Sequence, residues 1–283
     1  MEPAGLLIGG ILALALGFAI FDDDDEDSPA QPTPEPEPEP EPVMDDEGRV
    51  TGTDGDDEIA YDYGDDPYPS GIDAGAGDDS ITLTDGVDTN GEAGDDVILI
   101  DTAYSSTVDG GLGDDRISID RAIKTNVLGG DGNDTISIGD RAVEEPNVID
   151  AGAGDDVVQI AKSPSLSSDW NHTTDITLGE GADSLQIDFT TGTMDPGQAG
   201  DGTSAEVADF NPAEDVLTIT IPEGEENFLG YEVIARNGNS EVLLTYRGIG
   251  SDLEEMEYTA VVRLLGVTEL PASSLQVITG QAA

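Results

Sequence analysis

Short bursts of alternating apolar and polar residues recur between about residues 50 and 190, each one following a glycine-rich stretch. Ile117 and Ile119 flank Ser118, and Ile136 and Ile138 flank Ser137. Such alternation predicts a strand with one face turned inward. Aligned on the aspartate ahead of each burst, seven nine-residue copies begin at Gly52, Ala74, Gly91, Gly110, Gly129, Ala151 and Leu178. The fourth position is always glycine: Gly55, Gly77, Gly94, Gly113, Gly132, Gly154 and Gly181. The sixth is always aspartate: Asp57, Asp79, Asp96, Asp115, Asp134, Asp156 and Asp183. The eighth is always aliphatic. Two residues ahead of the copies stand Val50, Ile72, Thr89, Val108, Val127, Ile149 and Ile176, and all but Thr89 are aliphatic.

Each unit therefore reads as strand, glycine turn, strand, then a second turn. The key aspartates are 22, 17, 19, 19, 22 and 27 residues apart, about two nonapeptides each. That spacing predicts one coil of a parallel β-solenoid per copy, with the glycine turn always on the same edge. The opposite turns, 101–103, 120–122 and 140–142, share aspartate and alanine but lack glycine.

The periodicity fades after 190. Residues 203–224 carry no glycine period, and 231–246 read as a hairpin around Asn237-Gly238. Residues 258–278 predict a strand followed by a short turn or helical piece. A β-rich cap is expected here, because the last coil would otherwise expose an apolar end and an open strand edge.

Ahead of the repeats, residues 3–21 contain no ionisable side chain. As a helix they cover roughly 28 Å, close to the hydrocarbon thickness of a bilayer. A retained single-pass anchor is favoured over a cleaved signal, since no basic residue precedes the run. Ala13-Leu14-Ala15 keeps the cleaved alternative open. Residues 22–27 are acidic, and 29–42 alternate proline with glutamate, which favours an extended polyproline II spacer. The expected organisation is anchor or signal 1–21, linker 22–47, repeat region 48–190 and cap 191–283.

Charge sharpens this picture. The chain carries 63 Asp plus Glu against 9 Lys plus Arg, a formal net of −54. It therefore repels nucleic acid and anionic headgroups, which need basic side chains, and attracts cations. Cysteine is absent and His172 is the single histidine. A disulfide framework, a thiolate site and a two-histidine zinc site are all excluded.

In these copies the sequence resembles the haemolysin-type, or RTX, calcium-binding nonapeptide repeat over roughly 50–190, and 209–217 resembles part of the C-terminal region of such proteins. The resemblance implies an all-β fold, a right-handed parallel β-roll with one calcium-loop edge, followed by a β-rich cap; ahead of it, residues 3–21 are expected to form an N-terminal hydrophobic helix. It also implies Ca²⁺ between successive turns. The ligands would be the seven sixth-position aspartates and backbone carbonyls at Gly55, Gly77, Gly94, Gly113, Gly132, Gly154 and Gly181. Seven stacked turns leave gaps for up to about six ions. Hard oxygen donors without sulfur suit Ca²⁺ independently of any family. Aspartates that merely cap turns would instead stack like charges about 4.8 Å apart, a costly arrangement without cations.

The expected function is a calcium-binding protein that folds outside the cytoplasm and serves a structural or adhesive role. It would be extracellular or held at the cell surface through 3–21. Its expected partners are Ca²⁺ and either an extracellular polysaccharide or another surface protein, with no nucleic acid. Catalysis is not expected, because repeats and cap leave no room for an enzyme module and His172 lies in an insertion. The alternative is a secreted carboxylate-dependent hydrolase acting on polysaccharide. An ice-binding ladder is disfavoured because the ninth positions are Ala60, Thr82, Leu99, Ser118, Ser137, Gln159 and Gln186.

Overall fold

The computed structural model describes residues 41–62, 64–65, 67–139, 147–162, 173–189, 202–222, 225, 227–249 and 255–279. The hydrophobic segment 3–21, the linker up to residue 40, the 140–142 turn and His172 lie outside the described residues. Residues 39–283 form one compact unit. Among the described residues the fold is all-β, and no helix is long and apolar enough to cross a membrane.

The strands are, in order, β1 (Val43–Met44), β2 (Arg49–Thr51), β3 (Glu58–Tyr61), β4 (Gly71–Ala76), β5 (Ser80–Gly86), β6 (Asp88–Ala93) and β7 (Val97–Tyr104). They continue as β8 (Thr107–Leu112), β9 (Arg116–Ile123), β10 (Asn126–Asp131), β11 (Thr135–Ile138), β12 (Val148–Ala153), β13 (Val157–Lys162) and β14 (Thr174–Thr177). The last are β15 (Ser184–Phe189), β16 (Gly202–Val207), β17 (Val216–Ile221), β18 (Phe228–Arg236), β19 (Asn239–Ile249), β20 (Glu255–Leu264) and β21 (Leu275–Thr279).

From β2 to β17 the chain alternates between two sheets. Even-numbered strands build one in the order β2-β4-β6-β8-β10-β12-β14-β16, and odd-numbered strands build the other from β3 to β17. Neighbours within each sheet are parallel and in register, as in Val108↔Val127↔Ile149 and Ile117↔Ile136↔Val158. This is the arrangement of a two-sheet β-solenoid with one repeat per coil.

The register follows from the hydrophobic pattern, because a slip of one residue would turn every inward side chain outward. Ile59, Ile81, Ile98, Ile117, Ile136, Val158, Leu185 and Leu217 form one buried row, each 3 % exposed or less. Val50, Ile72, Val108, Val127, Ile149, Ile176 and Val207 form the facing row. Thr89 is the polar member of that second row, and its buried hydroxyl donates to the Val87 carbonyl at 3.0 Å. Each fully buried aliphatic side chain contributes roughly 1.5–3 kcal/mol relative to exposure.

The sheets do not stop at residue 190. β16, the turn 208–215 and β17 make a further coil that pairs with β14 and β15 in the same parallel sense. β20 and β21 then extend the two sheets once more, also in parallel. The expected hairpin is present as β18 and β19, antiparallel, with Asn237 and Gly238 both at positive φ. The piece between β20 and β21 is a turn rather than a helix, and the sequence reading had not anticipated β21. At the other end, β1 pairs antiparallel with β2.

Candidate metal centre

Because each copy turns once on the same edge, the sixth-position aspartates are brought into one file. Asp79, Asp96, Asp115, Asp134, Asp156 and Asp183 are only 1–2 % exposed, and Asp57 is 9 % exposed. The backbone N–H of each donates to Oδ1 of the aspartate one coil further on. The bonds run from Asp57 to Asp79, Asp96, Asp115, Asp134, Asp156 and Asp183 in turn, at 2.7–2.9 Å. Asp215 in the following coil accepts the Asp183 N–H at 3.2 Å.

The ladder uses one oxygen of each carboxylate. The other, Oδ2, is buried without a hydrogen-bond partner at Asp79, Asp96, Asp115, Asp134, Asp156 and Asp183. At both ends it is satisfied: Asp57 Oδ2 accepts from the Thr53 N–H and Asp215 Oδ2 from the Asn211 N–H, each at 2.6 Å. The difference lies at the second position of each copy. Gly75, Glu92, Gly111, Gly130, Gly152 and Gly179 have φ between 73° and 121°, and Thr53 and Asn211 do not share that left-handed backbone. Six carboxylates are thus left open, and two are closed by their own turns.

The first-position glycines make room beside the open oxygens. A methyl built on Gly91 would overlap both Asp96 Oδ2 and the Gly110 carbonyl oxygen. One on Gly110 would meet Asp115 Oδ2 and the Gly129 carbonyl, and one on Gly129 would meet Asp134 Oδ2 and the Ala151 carbonyl. In these copies a carboxylate oxygen and a carbonyl oxygen from the next coil both lie close against the glycine, where a side chain would stand. Ala74, Ala151 and Leu178 occupy the first position of the other open copies and are fully buried, so the six clefts are not equivalent.

Burial raises the carboxyls of Asp79, Asp134 and Asp183 above the ordinary carboxylate range. It pushes Asp96 up to about 6, and Asp115 and Asp156 up to about 7. The ladder hydrogen bond opposes this rise, and repulsion from neighbouring carboxylates adds to it. A cation in the clefts would remove the reason for the shift.

The donor chemistry fits Ca²⁺. It consists of carboxylate and carbonyl oxygens, with no imidazole or sulfur. Among the described residues no group of three or more acidic or histidine side chains converges. A cation would therefore take its side-chain ligands from single aspartates of successive coils, and backbone carbonyls or water would supply the rest.

The structure brings all seven sequence-predicted aspartates to one edge, with their fourth-position glycines beside them. Gly77, Gly94, Gly113, Gly132, Gly154 and Gly181 have φ of 119–147°, and Gly55 lies outside the positive-φ set. Two features had escaped the sequence reading. The fifth positions form a second, solvent-facing ladder of opposite sense. Oδ1 of Asp56, Asp78, Asp95, Asp114, Asn133 and Asp155 each accepts the N–H of the residue one coil later, at 2.7–2.9 Å. The recurrent Asp-Asp or Asn-Asp doublet was its signal. The second feature is Asp209, which caps the N–H groups of Leu178 and Gly179 at 2.9 Å and, with Asp215, closes the edge.

Fold and edge together define an all-β repeat protein with parallel sheets and a file of buried acids. Comparison with protein-family models and with curated proteins finds no match for the chain.

Proposed function

We propose that the chain is a calcium-binding β-roll of the RTX type, right-handed, which folds on meeting Ca²⁺ outside the cytoplasm. The observation that carries this reading is the set of six buried, unpartnered Oδ2 atoms in register. Leaving one such oxygen unsatisfied costs about 1–3 kcal/mol, and more if it is charged. Six of them in line are hard to account for without a cation. Asp79, Asp96, Asp115, Asp134, Asp156 and Asp183 hold the ions in this reading, with carbonyls of the adjoining glycine turns. Asp57, closed by Thr53, acts as the end of the ladder.

The role is structural or adhesive rather than catalytic, and the protein stands at the cell surface on residues 3–21 with 22–47 as spacer. Polysaccharide or another surface protein is the expected partner, bridged by Ca²⁺. A circular dichroism titration of the full-length protein tests the core of the proposal. Little β-signal is expected in excess chelator, with a cooperative rise on adding Ca²⁺. Calorimetry should count up to six ions. Full β-structure in chelator together with no heat on adding Ca²⁺ would overturn the reading.

A further inference from the structure

The hairpin β18–β19 supplies no residue to the metal reading. Among the described residues its first strand is the edge of the twelve-stranded sheet and, at nine residues, the longest of the four edge strands: β1 has two, β3 four and β21 five. Phe228 packs on Tyr246, with ring centroids 5.3 Å apart. A bulge follows at Leu229, and the strand then runs regularly from Gly230 to Arg236.

Tyr231 and Val233 pair with Leu244 and Val242, which are fully buried, so they share the core-facing side of the sheet. They are nevertheless 50 % and 41 % exposed, and Leu229 is 40 % exposed. The reason is topological. β20 has β21 as its counterpart in the other sheet, but among the described residues no strand of that sheet faces β19 and β18. The core row therefore runs out into solvent at β18. Neither proline nor lysine interrupts the strand, which would be the ordinary ways to blunt such an edge.

Charge does not oppose pairing at this strand. Within 228–249, Glu232 and Glu241 are balanced by Arg236 and Arg247, a net of zero in a chain of −54. Antiparallel pairing about a two-fold axis at Ile234 would set Glu232 opposite Arg236 of the second copy, twice over. Arg236 is exposed and makes a long ion pair with Glu241 Oε2, at 3.6 Å, while Arg263 bonds Oε1 of the same carboxylate at 3.0 Å.

We propose that β18 pairs with β18 of a second copy of this chain, joining two twelve-stranded sheets into one continuous sheet through a two-fold edge contact. An edge contact buries less than a standard interface, so the association is weak and grows with local concentration. Tethering at a surface would promote it.

The absence of cysteine provides a clean test. Residues directly opposite in an antiparallel pair have Cα atoms about 4.5–5.5 Å apart, within disulfide reach. Full-length Ile234→Cys, folded in excess Ca²⁺ and mildly oxidised, should form a covalent dimer, whereas Tyr104→Cys on the exposed end of β7 should not. Adding Glu232→Arg should reduce the yield about tenfold by removing two opposite-charge pairs and creating like ones. Adding Arg236→Glu as well should restore it. Circular dichroism confirms that each variant is folded. Ile234→Cys cross-linking no better than Tyr104→Cys, or a yield indifferent to Glu232→Arg, overturns the proposal.

Discussion

A single aspartate in this protein uses its two oxygens differently, and substitution can separate their effects. Asp115 accepts the Asp96 N–H through Oδ1 and leaves Oδ2 buried and unpartnered. Asparagine keeps an acceptor for the ladder and removes the charge, as Asn133 already does in the outer ladder. Asp115→Asn is therefore expected to retain the fold, to raise the melting temperature in chelator at pH 8, and to lower the calorimetric Ca²⁺ count by one or two. Asp115→Ala strands a buried N–H and should cost about 1–3 kcal/mol in either condition. Equal melting temperatures for the two variants in chelator would remove the ladder from the account.

At the scale of the element, the turn is shaped by how closely successive coils approach. A methyl on Gly113 would overlap the Gly94 carbonyl oxygen, and its φ of 129° already disfavours any side chain. Gly113→Ala should destabilise the calcium-loaded protein by more than about 2 kcal/mol in chemical denaturation. Glu92 holds the second position at φ 73° where four other open copies have glycine after Ala or Gly, so Glu92→Gly should gain about 1 kcal/mol. These elements were legible because glycine, aspartate and the aliphatic rows repeat in phase. The turn 208–215 was not, because Asn211 and Asp215 satisfy its amides with side chains and a tight backbone turn, without glycine. Its trace in the sequence was Asp215-Val216-Leu217-Thr218-Ile219, which repeats the aspartate and the alternation alone. The outer ladder left only the recurrent doublet as a trace, because a single acid that binds backbone looks in sequence like one that is merely solvated.

For the whole molecule, the file of buried carboxyls makes stability depend on pH, and under the proposed function Ca²⁺ would act in the opposite direction. Carboxyls raised by burial contribute stability that is fully present below their unfolded value of about 3.8. It is lost as pH rises through about 6 to 7, the range reached by Asp96, Asp115 and Asp156. In chelator, the melting temperature should therefore fall between pH 5 and pH 8. Ca²⁺ requires the ionised form, so its binding should release protons in the same window and weaken as pH falls, which a weakly buffered titration would record. A chelated protein more stable at pH 8 than at pH 5 would contradict this. With extracellular-type affinities of ~10⁻⁴–10⁻³ M and Ca²⁺ at about 10 mM, each site adds roughly 1.4–2.7 kcal/mol. Six add on the order of 8–16 kcal/mol, comparable to the stability of a whole domain. Net charge alone raises the expectation of cations, but the number of open carboxylates depends on how the first and last turns fold, which composition does not reveal.

The two acidic files run in opposite senses: an inner aspartate reaches back to the coil before it, and an outer one receives the coil after it. Each interior coil thus presents the same pair of fasteners on both sides, like a link in a chain. Residues 110–128 make up one such link, 19 residues long, the same step that separates Asp115 from Asp134. Taking it out, or copying it, sets every donor before an equivalent acceptor. The molecule is built to change length by whole coils while its two ends stay as they are.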